Sequence, residues 1–160
     1  MAQVTTSLFD GVTKDEYAAM KECFKATVKT YKKGEEVPMP EGRVGVVQRG
    51  KISVLRTDAD GVRTIFEQLG KGGVFGTPIG YARAEAGYFL LAEEDCNVLM
   101  IDYEHIVKRC PKACTHHSTV VANLVRLMSE KTQALSEHLE ILSRRTTREK
   151  LTAYFSMLAA

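Results

Sequence analysis

The chain has 160 residues, 44% of them hydrophobic, with a net charge of +2 and a pI near 8.3. That length fits one domain, or one domain plus a fragment, and so balanced a charge argues for neither a nucleic-acid nor a membrane surface. No apolar run approaches the ~18 residues of a membrane span. The start, MAQVTTSLFDGV, lacks the charged and apolar regions of a secretory signal. With no export signal, the four cysteines (Cys23, Cys96, Cys110 and Cys114) are expected reduced, in the cytoplasm.

Thr13-Lys14-Asp15-Glu16 reads as a capping box. It predicts a helix over 14–24, with Tyr17, Met20 and Phe24 on one face. Gly34 and Pro38-Met39-Pro40 then end regular structure. From Val28 to Ile101 short β-rich runs alternate with glycines, and Asp60-Gly61 marks a hairpin turn. Regular turn spacing points to an all-β sandwich or barrel. Residues 69–80 hold five glycines in twelve positions, a loop of unusual backbone angles. Strands follow at Tyr88 to Ala92 and Asn97 to Ile101, then a short helix over 102–110.

Residues 117–142 contain no Gly or Pro. Val121, Leu124, Met128, Leu135 and Leu142 recur at alternating steps of three and four, with Lys131 and His138 filling the gaps. This heptad seam predicts a helix roughly 40 Å long that lies along a partner. Val120, Leu127, Ala134 and Ile141 widen the stripe, so the helix should also pack on its own domain. A single long helix across one domain would show the same periodicity. Thr146-Thr147-Arg148-Glu149 is a second capping box after the basic hinge Ser143-Arg144-Arg145. The helix beyond it presents Leu151, Tyr154, Phe155 and Leu158, with nothing after them to cover that face. A further domain is therefore expected to begin there.

Taken together, these segments resemble the sensory half of a Crp/Fnr-type transcription regulator. Ser7-Leu8-Phe9, the paired strands from Val47 to Gly61, Leu69 to Gly76 as "L-x-x-G-x-x-F-G", and Ala92, Asp95, Val98, Leu99 and Ile101 carry the resemblance. It implies a mainly β fold: a double-stranded β-helix (jelly-roll, cyclic-nucleotide-binding-like) followed by a long dimerisation helix. The implied division is a β-barrel sensory domain over 1–112, the long helix and hinge over 113–145, and the first helix of a winged helix-turn-helix over 146–160. The implied partners are a second copy, through Val121, Leu124, Met128, Leu135, His138 and Leu142, and a small-molecule effector. Promoter DNA would be bound by the full-length protein and not by this chain alone.

Family members that bind cyclic nucleotides carry a Glu after "F-G" and an Arg pair shortly before the matched Ala. Here Thr77 follows Phe75-Gly76, and Ala86-Gly87 stand in place of the pair, with Arg83 nearby. No cofactor is expected, and cyclic AMP is disfavoured as effector. The resemblance places the effector against Val74, Phe75, Gly76, Thr77, Pro78, Ile79 and Tyr88, and against Met128, Lys131, Thr132, Leu135 and Ser136 of the long helix. Lys131 would meet a carboxylate or phenolate; pairing with Glu130 or Glu137 is the simpler reading.

Cys110, Cys114, His116 and His117 gather soft ligands suited to Zn²⁺, an iron–sulfur cluster or a haem bond. The resemblance offers a metal, haem or redox sensor on these residues as the alternative function. Their spacing is not that of a zinc finger, and a helix cap with semi-buried thiols is the simpler reading. His105, His116, His117 and His138 all lie after the strands, which argues against a cupin-type metalloenzyme. No Ser/Cys–His–acid set has a plausible scaffold, so no enzyme is expected.

Overall fold

The computed structural model describes residues 7–39, 41–76, 79, 87–108 and 114–159. The first capping box forms as expected. The Thr13 N–H donates to Glu16 Oε2 at 2.9 Å and the Glu16 N–H to Thr13 Oγ1 at 3.3 Å. They start α1 (Lys14–Cys23), whose inner face puts Met20 in the core. The strands are β1 (Thr27–Tyr31), β2 (Glu36–Val37), β3 (Arg43–Arg49), β4 (Ile52–Thr57), β5 (Arg63–Leu69), β6 (Val74–Phe75), β7 (Tyr88–Ala92) and β8 (Cys96–Asp102). They make two antiparallel four-stranded sheets, ordered β1-β8-β3-β6 and β2-β7-β4-β5. Because the chain crosses repeatedly from one sheet to the other, the result is the expected jelly roll.

The β4–β5 connection is longer than a two-residue turn. Asp58 Oδ1 accepts from the N–H groups of Asp60 and Val62, and Gly61 sits at φ +80°. Such an Asx arrangement uses a side chain in place of the ladder.

The first sheet is apolar on both faces, and the alternation of β8 shows why. Cys96, Val98 and Met100 point into the space between the sheets, with Phe75, Ile52, Val54 and Leu90. Leu99 and Ile101 point outward, with Val44, Val46 and Val74, against a helical layer. That layer is α1, α2 (Tyr103–Val107), the head of α3 (Thr115–Ser143) and the Leu8 segment. Successive strand side chains alternate faces, so one strand serves both cores.

Two glycines make the barrel possible. A Cβ at Gly45 would fall inside the Phe75 ring, which fills the barrel interior. Gly76 has φ +138°, and a Cβ there would collide with the Arg43 carbonyl oxygen. The glycine-rich stretch thus closes a strand corner against β3.

The head of α3 belongs to its own domain. Val120, Leu124 and Leu127 are buried in the outer core, each contributing about 1.5–3 kcal/mol. Asn123, also buried, donates to the carbonyls of Leu8 at 3.2 Å and Asp10 at 2.7 Å. Leu124, expected in the seam from the heptads, is 3% exposed and packs in the core of its own chain. The apolar positions left open are Val125, Met128, Leu135, Leu139 and Leu142. The second capping box also forms, with Thr146 and Glu149 exchanging N–H bonds at 3.0 and 3.2 Å, and α4 (Thr147–Ala159) follows. Leu151, Tyr154, Phe155 and Leu158 are exposed on it. No helix among the described residues is long and apolar enough to cross a membrane.

Candidate functional site

The helix-to-barrel junction is built around Lys131. Its side chain is 14% exposed, and its ammonium lies 3.2 Å from Glu67 Oε2 on β5. It donates also to Glu67 Oε1 at 3.3 Å and to the Val74 carbonyl at 3.4 Å. A half-buried ammonium needs such acceptors. Lys131 thus pairs with a strand carboxylate of the same chain, a partner additional to the Glu130 and Glu137 named from the sequence.

The other expected effector residues separate. Val74 and Ile79 are buried in the outer core, and Phe75 fills the barrel interior. Gly76 is spent on the strand corner, and Thr77 and Pro78 lie outside the described residues. Tyr88 opens β7, with its ring 5.1 Å from Phe66 and 5.9 Å from the Arg56 guanidinium. Met128, Thr132, Leu135 and Ser136 are exposed on α3. The hydroxyls of Thr132 and Ser136 turn back onto the Met128 and Thr132 carbonyls, at 2.9 and 3.0 Å. Of the expected set, Lys131 on the helix and Val74 on the barrel are joined directly, and Glu67 adds to them. An acidic residue on an exposed strand reads as a solvated charge, which is why Glu67 gave no signal.

The cysteine and histidine cluster also differs from expectation. Cys114 is the N-cap residue of α3, but its thiol makes no capping bond. One ring nitrogen of His116 and the sulfurs of Cys114 and Cys23 lie within 4.8 Å of one another. Cys23 comes from the end of α1, far away in sequence. His117 is not part of this group: its Nε2 lies 2.7 Å from the Ile106 carbonyl, and its ring meets Phe24 edge-on at 4.8 Å. Cys110 lies outside the described residues. Cys96 is a barrel-core residue as expected; burial, with Asp95 and Glu94 nearby, pushes its thiol pKa up and keeps it inert.

At the far end of α3, Glu140, Ser143, Arg144, Arg145, Arg148, Glu149, Thr152 and Ala153 line a cleft of about 660 Å³. Arg144 is paired with Glu140 at 2.6 Å, so the basic hinge is partly neutralised within the helix.

Two antiparallel sheets wound as a jelly roll are capped by a long helix whose Lys131 points back at the strands. A family model for the cyclic nucleotide-binding domain matches residues 28–111, and the chain belongs to that family. Its fold is similar to that of the catabolite activator protein of Thermus thermophilus (21% identity, TM-score 0.64) over 85% of this chain and 62% of that one. It is similar to a CooA mutant from Carboxydothermus hydrogenoformans (18% identity, TM-score 0.64), over 97% of each chain. It is also similar to oxidised CprK in complex with o-chlorophenolacetic acid (14% identity, TM-score 0.53), over 79% of this chain and 53% of that one. The chain thus spans about three-fifths of the Thermus protein. No curated protein matches it by sequence. The Crp/Fnr-type architecture expected from the sequence is borne out.

The sequence lacks the Glu and the Arg pair that relatives binding cyclic nucleotides carry. Gly87, at the second position of the missing Arg pair, sits at φ +79°, and its carbonyl accepts the Thr57 N–H. Titration calorimetry with cyclic AMP and cyclic GMP is expected to show no micromolar binding. A micromolar or tighter isotherm for either would overturn this.

Proposed function

We propose that the chain is the effector-sensing and dimerisation part of a Crp/Fnr-type transcription regulator, without enzymatic activity. The effector is a small, largely apolar molecule with one anionic end, bound where α3 meets the barrel. The observation that carries this reading is the Lys131–Glu67 pair. Glu67 holds the place that a ligand carboxylate would take, and exchanging one carboxylate for another keeps the ammonium satisfied. The CprK neighbour, described with an aryl acetic acid, supports this chemical class.

A second copy would pair along Val121, Val125, Met128, Thr132, Leu135, Leu139 and Leu142, a run of alternating fours and threes that is mostly exposed in the single chain. This phase replaces the one containing Leu124 and His138. Effector binding would shift the paired helices and so the DNA-reading domains that α4 leads into. The sensory, dimerisation and DNA-binding segments read from the sequence stand as parts of this proposal.

The test is a thermal-shift screen of substituted phenylacetates and phenols. At a hundred times its Kd, a true ligand stabilises the protein by about 2.7 kcal/mol. The shift should vanish in Lys131→Met and grow in Glu67→Gln. A ligand that stabilises Lys131→Met as well as wild type would rule out this role for Lys131.

A further inference from the structure

The thiols of Cys23 and Cys114 and one imidazole nitrogen of His116 converge within 4.8 Å from two elements that the sequence places far apart. His116 is 7% exposed, and its Nε2 has no hydrogen-bond partner among the described residues. A buried ring nitrogen without a partner is costly unless something binds it. Neighbouring His117 is held by Ile106 and Phe24, which fixes the backbone that carries His116. The surroundings are apolar: Met20, Phe24 and Ile106 are all buried beside this junction.

We propose that Cys23, Cys114 and His116 form a site for a thiophilic divalent ion of the Zn²⁺ class, tying the end of α1 to the head of α3. Tetrahedral Zn²⁺ holds thiolates at about 2.3 Å and imidazole nitrogen at about 2.0–2.1 Å, which sets the donors about 3.5–3.8 Å apart. A spread of up to 4.8 Å needs a contraction of about 1.0–1.3 Å at most to meet that geometry. Two thiolates and one imidazole favour Zn²⁺ over harder cations, and the fourth position is left to water or another donor. Binding exchanges the two thiol protons for the ion and releases them to solvent, so affinity rises with pH. The site is independent of the effector reading, since none of its residues touches the Lys131–Glu67 pair.

The test is cobalt(II) titration of the whole chain, stripped with chelator and fully reduced. One equivalent per chain is expected, with the visible bands of tetrahedral cobalt and a thiolate-to-cobalt charge-transfer band, both removed by Zn²⁺. Cys23→Ser and His116→Ala should each weaken binding at least 100-fold, while His138→Ala leaves it unchanged. Circular dichroism of the metal-free variants checks that they fold, and if His116→Ala does not, Cys23→Ser decides. Absence of the charge-transfer band, or binding that both variants retain, would overturn the proposal. So would a reduced chain that takes no cobalt but closes a Cys23–Cys114 disulfide in air, which would make the pair a thiol switch instead.

Discussion

Leu139→Glu is expected to turn a dimer into monomers without unfolding the barrel. Leu139 is 68% exposed in the single chain, on the same open stripe as Met128, Leu135 and Leu142. Burying a leucine against a second helix is worth about 1.5–3 kcal/mol. In a two-fold parallel pair the new carboxylate would meet its own copy, adding repulsion to the cost of losing water. The dimer Kd should rise at least 100-fold, about 2.8 kcal/mol at 1.4 kcal/mol per decade. Leu124→Glu separates the two roles of the helix. Leu124 lies in its own core, so that variant should lose folded structure together with association. Sedimentation velocity and circular dichroism measure both. Wild-type protein that remains monomeric at high concentration would remove the dimer from the account, and Leu139→Glu that dimerises normally would move the seam.

Gly45→Ala should be among the most damaging single-atom additions in the barrel. The new methyl would occupy the space of the Phe75 ring, which is fully buried between the sheets. Forcing extra volume into a packed core costs about 1–3 kcal/mol, since the ring must leave its rotamer or β3 must move. Phe75→Leu frees that space, so the double variant should be more stable than the sum of the single effects predicts. Urea unfolding of the four proteins gives the coupling, expected at 0.5 kcal/mol or more for residues in contact, roughly the size such cycles report. A Gly45→Ala protein as stable as wild type would mean that the barrel repacks freely around this position.

Much of this was legible in the sequence, because the signals are local. The two hydroxyl–carboxylate boxes depend on four consecutive residues, and both form. The strands announce themselves through β-branched runs between glycines. The phase of α3 was harder. The series through Leu124, Lys131 and His138 and the series through Val125, Thr132 and Leu139 share Val121, Met128, Leu135 and Leu142. Both have heptad spacing, and which residue faces home is decided by the barrel, not by the helix. One signal was available: the first series puts two ionisable side chains, Lys131 and His138, in the seam, and the second none, only the neutral Thr132 hydroxyl. Cys23 and Glu67 were illegible for the same reason. Each gains its meaning from a partner brought close by the fold, Cys114 and Lys131 respectively.

The uneven anchoring of α3 sets where the helix can frustrate hydrogen exchange. From Val120 to Lys131 it is held by its own core, by Asn123 and by Glu67. Beyond that, Leu135, Leu139 and Leu142 are about two-thirds exposed within the single chain. Amides in the head should therefore be protected at any protein concentration, with the stability of the whole domain. Amides in the tail should slow only as the protein becomes concentrated enough to pair. On the proposed dimer, one rod would carry two separate stabilities, that of its barrel at the head and that of its pairing at the tail. At low protein concentration the tail would then fray while the head stays ordered.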